Sequence, residues 1–152
     1  ERIKYFDFDL LIERANERYR VRVMQSPAGQ ASAEFVLPFT DQDLEILVLR
    51  VGRARRGVRR LESPEMQAAK QFGGRLFDAV FAGDVRGALR SSVDTANRDG
   101  AGLRVRLRLS DAPELVDLPW EFLYNASLNR FLALSNKTPL VRYLELPERR
   151  AL

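Results

Sequence analysis

The 152-residue chain contains no cysteine and no histidine. The first absence excludes disulfides, thiolate nucleophiles and cysteine metal sites, and the second removes the commonest general base and metal ligand. Lysine is scarce too: Lys4, Lys70 and Lys137 are the whole set, leaving 22 of the 25 basic residues as arginine. Tryptophan occurs once, as Trp120. No stretch approaches the roughly 18 consecutive apolar residues of a membrane-spanning helix. Glu1-Arg2-Ile3-Lys4 lacks the basic segment, apolar core and small-residue cleavage site of a signal peptide. These absences predict a cytoplasmic protein with no cofactor, no metal, no membrane partner and no enzymatic activity of its own.

What is present fits one globular domain over residues 1–152. Hydrophobic residues make up 45% and charged residues 30% of the chain, and a domain of this length buries roughly 70% of the surface its unfolded form exposes. The net charge is +4, with 21 acidic residues spread among the arginines. Arginine makes planar, bidentate contacts to carboxylate or phosphate, so a basic surface suits an acidic partner. A GC-rich coding bias produces the same excess, and the interspersed acids can pair with many of the arginines.

Periodicity predicts an α+β fold in one layered domain. In residues 1–38, Phe6, Phe8, Leu10 and Ile12 alternate with Asp7, Asp9, Leu11 and Glu13, and Tyr19, Val21 and Val23 alternate with arginines after a polar turn at 14–17. A turn at Ser26-Pro27-Ala28-Gly29 leads to a third strand over Ala33–Leu37, completing a β meander. Residues 40–99 read as three helices. Thr40 and Asp43 resemble a capping box with Asp in place of Glu or Gln, opening a run through Leu44, Leu47, Val48 and Val51 toward Gly52 and Gly57. Ser63-Pro64 restarts a helix whose face is Met66, Ala69, Gly73, Leu76, Phe77 and Val80, widened by Phe72 and Phe81. Asp84 is placed to cap a third, with Val85, Leu89, Val93 and Ala96 on its face, ending within Asn97–Gly102. Strands return over 103–146: Leu103–Leu109 alternates with Arg104, Arg106 and Arg108, and short strands are expected near Phe131–Leu134 and Leu140–Leu146, with a short helical turn at Asp111–Glu114.

Two groups of residues are candidates for partner binding. Arg50, Arg53, Arg55, Arg56, Arg59 and Arg60 place six arginines in eleven residues. Such a cluster can neutralise phosphates with steep salt dependence, yet neither a zinc finger nor an RNA-recognition signature accompanies it. The other reading is a solvated helix or a contact with another domain. Trp120 and Tyr124 lie in Leu118-Pro119-Trp120-Glu121-Phe122-Leu123-Tyr124. Buried, they form a hydrophobic anchor between layers, with Glu121 free to pair with an arginine such as Arg142; exposed, they mark a protein-binding patch. Arg104, Arg106 and Arg108 would be neutralised by acids on a neighbouring strand, Asp7 and Asp9 being the obvious pair. As a metal site Asp7 and Asp9 lack further clustered acids, and Phe72-Gly73-Gly74-Arg75 lacks phosphate-loop spacing.

The segments FDFDLLIE, YRVRVMQSPAGQASAEFVLP, FGGRLFDAVFAGDVRGALRSSVDTANRDGAGLRVRLRL, DAPELVDLPWEFLYN and RFLALSNKTPLVRYLELP, in that order, resemble bacterial proteins of the CHAT family, caspase-like proteases related to separases. The combination of LPWEFLY, FLALS and PLVRYL carries most of the resemblance. It implies a catalytic His and Cys pair following the PLVRYL region, outside this chain, so that no residue here is nucleophile or base. The implied role is the non-catalytic regulatory or scaffold region of a caspase-like protein. Its strands would lead into the protease core, and its partner would be the downstream protease region or an associated regulatory domain. The alternative is a stand-alone basic module that binds nucleic acid or an acidic protein through Arg50–Arg60.

Overall fold

A two-residue turn at Asn16-Glu17 starts the fold. Ala15 pairs with Arg18 across it, and Asn16 takes the left-handed conformation (φ 61°) that a tight hairpin needs and asparagine tolerates. The computed structural model describes residues 4–46, 49, 64–135 and 137–143. The hairpin strands are β1, Tyr5–Ala15, and β2, Arg18–Gln25. Gly29, at φ 90°, closes the next turn by donating its N–H to the Ser26 carbonyl. The third strand, β3, therefore begins almost at once and spans Ala31–Phe35, two residues earlier than the sequence pattern predicts. Its register is fixed by stacking of Phe35 on its cross-strand partner Tyr19.

The helical third begins as the sequence predicts. The Thr40 hydroxyl accepts from the Asp43 N–H at 3.0 Å and the Asp43 carboxylate accepts from the Thr40 N–H at 3.1 Å, so aspartate completes the capping box. The helix it opens, α1, is described over residues 41–46 and at 49. Leu44 packs against the core. Leu47, Val48, Val51, Gly52, Gly57 and Ser63 lie outside the described residues, as do all six arginines of the 50–60 cluster. Helix α2 spans Pro64–Val80 and buries the expected face from Met66 to Val80, with Phe72. Helix α3 spans Gly83–Arg98, capped at Ala82 rather than by Asp84. Asp84 sits instead in the first turn, where its charge complements the helix dipole.

After α3, strand β4, Gly102–Arg108, pairs parallel with β1. Two 3-10 turns, Pro113–Leu115 and Trp120–Phe122, precede a small hairpin of β5, Tyr124–Asn125, and β6, Arg130–Phe131. The strand expected near Phe131–Leu134 is thus only its first residue. A 3-10 turn over Leu132–Leu134 replaces the remainder, because Leu132 bends back to give its N–H to the Leu123 carbonyl. Strand β7, Leu140–Tyr143, then pairs parallel with β4.

The main sheet therefore has the order β3-β2-β1-β4-β7, antiparallel on one side of β1 and parallel on the other. The fold is α+β, with the N-terminal meander and the C-terminal strands joined in one sheet. Phe8, Leu10, Ile12, Val21, Val23, Leu103, Val105 and Leu107 point to one face and merge with α2, α3 and Trp120 into a continuous core. Burial of each large side chain there contributes about 1.5–3 kcal/mol. Among the described residues no helix is long and apolar enough to cross a membrane.

Candidate functional site

The opposite face of the sheet carries charge. Because β1 and β4 run parallel in register, Asp7 lies beside Arg104 and Asp9 beside Arg106. Asp7 accepts from Arg104 Nε at 2.8 Å and from Arg106 Nη1 at 3.1 Å, and Arg106 Nε reaches Asp9 Oδ1 at 2.9 Å. The Asp9 contact is an ion pair rather than an aligned hydrogen bond. Arg22 extends the lattice to Glu13 at 3.0 Å and Arg20 to Glu34 at 3.3 Å. The strand pairing thus brings Asp7 and Asp9 to the Arg104–Arg108 strand, as the alternation predicts. Partly solvated pairs of this kind contribute little stability individually, and they set a pattern of alternating sign across the surface.

One irregularity shapes this face. Asp9 pairs with Gln25 and Leu10 with Val23, so Met24 is an extra residue on β2 and forms a β-bulge. Beside it opens a groove of about 370 Å³, with Asp9, Met24 and Gln25 on one side and Arg108, Ser110 and Asp111 on the other. Asp9 is buried at its edge and Met24 is 39% exposed. Val141, which pairs with Arg106 and so shares its face, is 37% exposed. No described element covers this surface. The periodicity of β2 shows no break that would have revealed the bulge or the groove.

The end of the β1–β2 hairpin is tied to the segment after β4 by a second polar cluster. Tyr19 Oη donates to Glu114 Oε2 at 2.7 Å, and Arg14 Nη1 donates to the same oxygen. The Tyr19 hydrogen bond, above all, holds the Glu114 carboxyl below its usual range. Burial, followed by that same bond to a carboxylate, pushes the Tyr19 phenol up. The Glu114 hydrogen bond raises Arg14 further, keeping it cationic. Neither Tyr19 nor Glu114 stood out in the sequence, because they are far apart in the chain and only the fold joins them.

Trp120 and Tyr124 lie inside the molecule. Trp120 has no exposed surface, and its indole N–H donates to the Leu115 carbonyl at 2.8 Å. Tyr124, 9% exposed, packs edge-on against Phe131 and hydrogen-bonds Asn129. The pair is therefore a packing anchor and offers no exposed patch to a partner. Helix α2 approaches this segment so closely that a Cβ on Gly73 would stand 1.6 Å from the Phe122 carbonyl oxygen. Arg142 Nη1 donates to the Val116 carbonyl at 2.8 Å and its other nitrogen lies 4.0 Å from Glu121, the expected pairing at ion-pair range.

The described residues hold no group of three or more acids placed to bind a metal ion. What the sheet face presents is paired carboxylates and guanidiniums, a groove, and exposed Met24 and Val141. No family model, curated protein or solved structure matches the chain.

Proposed function

We propose that the chain is a docking module, the non-catalytic region of a CHAT-type caspase-like protein, and that it presents the charged face of its sheet to a protein partner. The observation that carries this reading is the charge lattice on a sheet face that no described element covers. All-parallel sheets are covered on both sides, and here the parallel pair β1 and β4 bears a lattice of Asp7, Asp9, Arg104 and Arg106 that no described element covers. A surface of mixed sign with apolar points at Met24 and Val141 supports selective protein contact. The partner that fits the resemblance is the downstream caspase-like protease region, a polypeptide that bears the His and Cys pair.

Calorimetric titration of that polypeptide into the chain tests the proposal. Saturable binding is expected, weakened about tenfold or more by Met24→Glu with Val141→Glu, a loss of about 1.4 kcal/mol. Both side chains are already solvent-facing, so the thermal melt should be unchanged. Absence of binding, or binding indifferent to both substitutions, would refute the docking face.

A further inference from the structure

A second pocket lies on the other side of the sheet, between α3 and the turn that joins β5 to β6. Its volume is about 140 Å³, close to the cavity of about 150 Å³ that accepts one benzene ring in an engineered protein. Its floor is the buried trio Phe77, Val105 and Leu132. Leu89 and Val93 form the α3 wall, and Leu128, held out by the hairpin turn and 43% exposed, makes an apolar shoulder opposite.

Arg86, Arg90 and Asp94 stand at the rim. Arg86 is engaged: its Nη2 donates to Asp78 at 2.8 Å and its Nε to the Phe81 carbonyl at 2.7 Å. Arg90 is exposed, and no hydrogen bond or ion pair joins it to another described residue. Asp94, one turn further along α3, makes no ion pair with it. The rim therefore holds a cation with no contact partner among the described residues, beside a hole that fits one ring.

We infer that this pocket seats a single large apolar side chain, phenylalanine or leucine, from a partner peptide whose adjacent residue is acidic and rests its carboxylate on Arg90. A free aromatic acid would fill the hole and leave the Leu128 shoulder in water. A peptide continuing past its anchor covers both, and a central apolar anchor with a charged rim is the arrangement in which a few residues dominate an interface. The surface is separate from the sheet face, so the inference stands whether or not that face docks a partner.

A labelled acetyl-Gly-Asp-Phe-Asp-Leu-Gly-amide peptide is the probe, read by fluorescence anisotropy and by methyl NMR shifts on the whole chain. Saturable binding is expected, with shifts at Leu89, Val93, Leu128 and Leu132. Arg90→Glu should weaken it about fivefold or more, replacement of the peptide's Phe by Ala should abolish it, and Lys in place of both Asp residues should weaken it to a similar degree as the Arg90 change. Met24→Glu with Val141→Glu should leave it unaltered. The inference is overturned by no saturable binding, by shifts confined to other residues, by equal affinity after Arg90→Glu and for the Lys peptide, or by loss of binding in the sheet-face variant.

Discussion

Gly73 is the residue on which the packing of α2 depends most directly. A side chain there would meet the Phe122 carbonyl oxygen at 1.6 Å, and that oxygen belongs to backbone that cannot rotate away. The helix has to be bare at this position for the 3-10 turn of Trp120–Phe122 to lie against it. Gly73→Ala would gain roughly 1 kcal/mol of helix propensity at an exposed site, but here overpacking wins and a net loss of about 3 kcal/mol or more is expected. Urea denaturation measures it, and wild-type or greater stability would contradict the contact. Gly74, one residue on, has open space where its Cβ would be, and Gly74→Ala is the natural control. The sequence places Gly73 on the buried face of an amphipathic helix, while the reason only glycine fits comes from a neighbour 49 positions away.

At the scale of elements, the clasp between the β1–β2 hairpin and the 3-10 turn at Pro113–Leu115 should be visible in pH dependence. Glu114 has a lowered pKa, chiefly through the Tyr19 hydroxyl, so its contribution is present above the unfolded carboxyl value and is lost as pH falls through the folded one. Tyr19 has a raised pKa, first through burial, so its contribution is present below the unfolded phenol value near 10 and is lost as pH rises through the folded one. Glu114→Gln should remove this part of the acid loss and reduce the alkaline loss, where burial of the phenol still acts. Melting temperatures from pH 3 to 11 would show it, and an acid limb identical to wild type would disprove the clasp. The elements themselves were largely legible: alternation gave β1, β2 and β4, and the Thr40–Asp43 box opened a helix as read. Boundaries set by distant partners were not. Phe35 ends its strand where it stacks on Tyr19, and Leu132 leaves the strand conformation to reach Leu123.

For the whole molecule, the proposed non-catalytic role makes a plain prediction: the purified chain should not cleave peptides, and turnover above a buffer control in a fluorogenic peptide assay would overturn that reading. A salt-sensitive affinity for duplex DNA carried by Arg50–Arg60 would instead favour the basic-module alternative. The sequence by itself determined the α+β class, the apolar faces of β1, β2, β4, α2 and α3, and the absence of any thiol or imidazole, because side-chain chemistry and local periodicity are written residue by residue. It also paired Asp7 and Asp9 with the Arg104–Arg108 strand by complementary charge. Only the tertiary structure decided that β4 lies parallel to β1, that Met24 bulges beside a groove, that Trp120 and Tyr124 are buried, and that a pocket opens under Arg90. Each of these depends on which strand or helix lies alongside which, and that is fixed by how separated segments close one core.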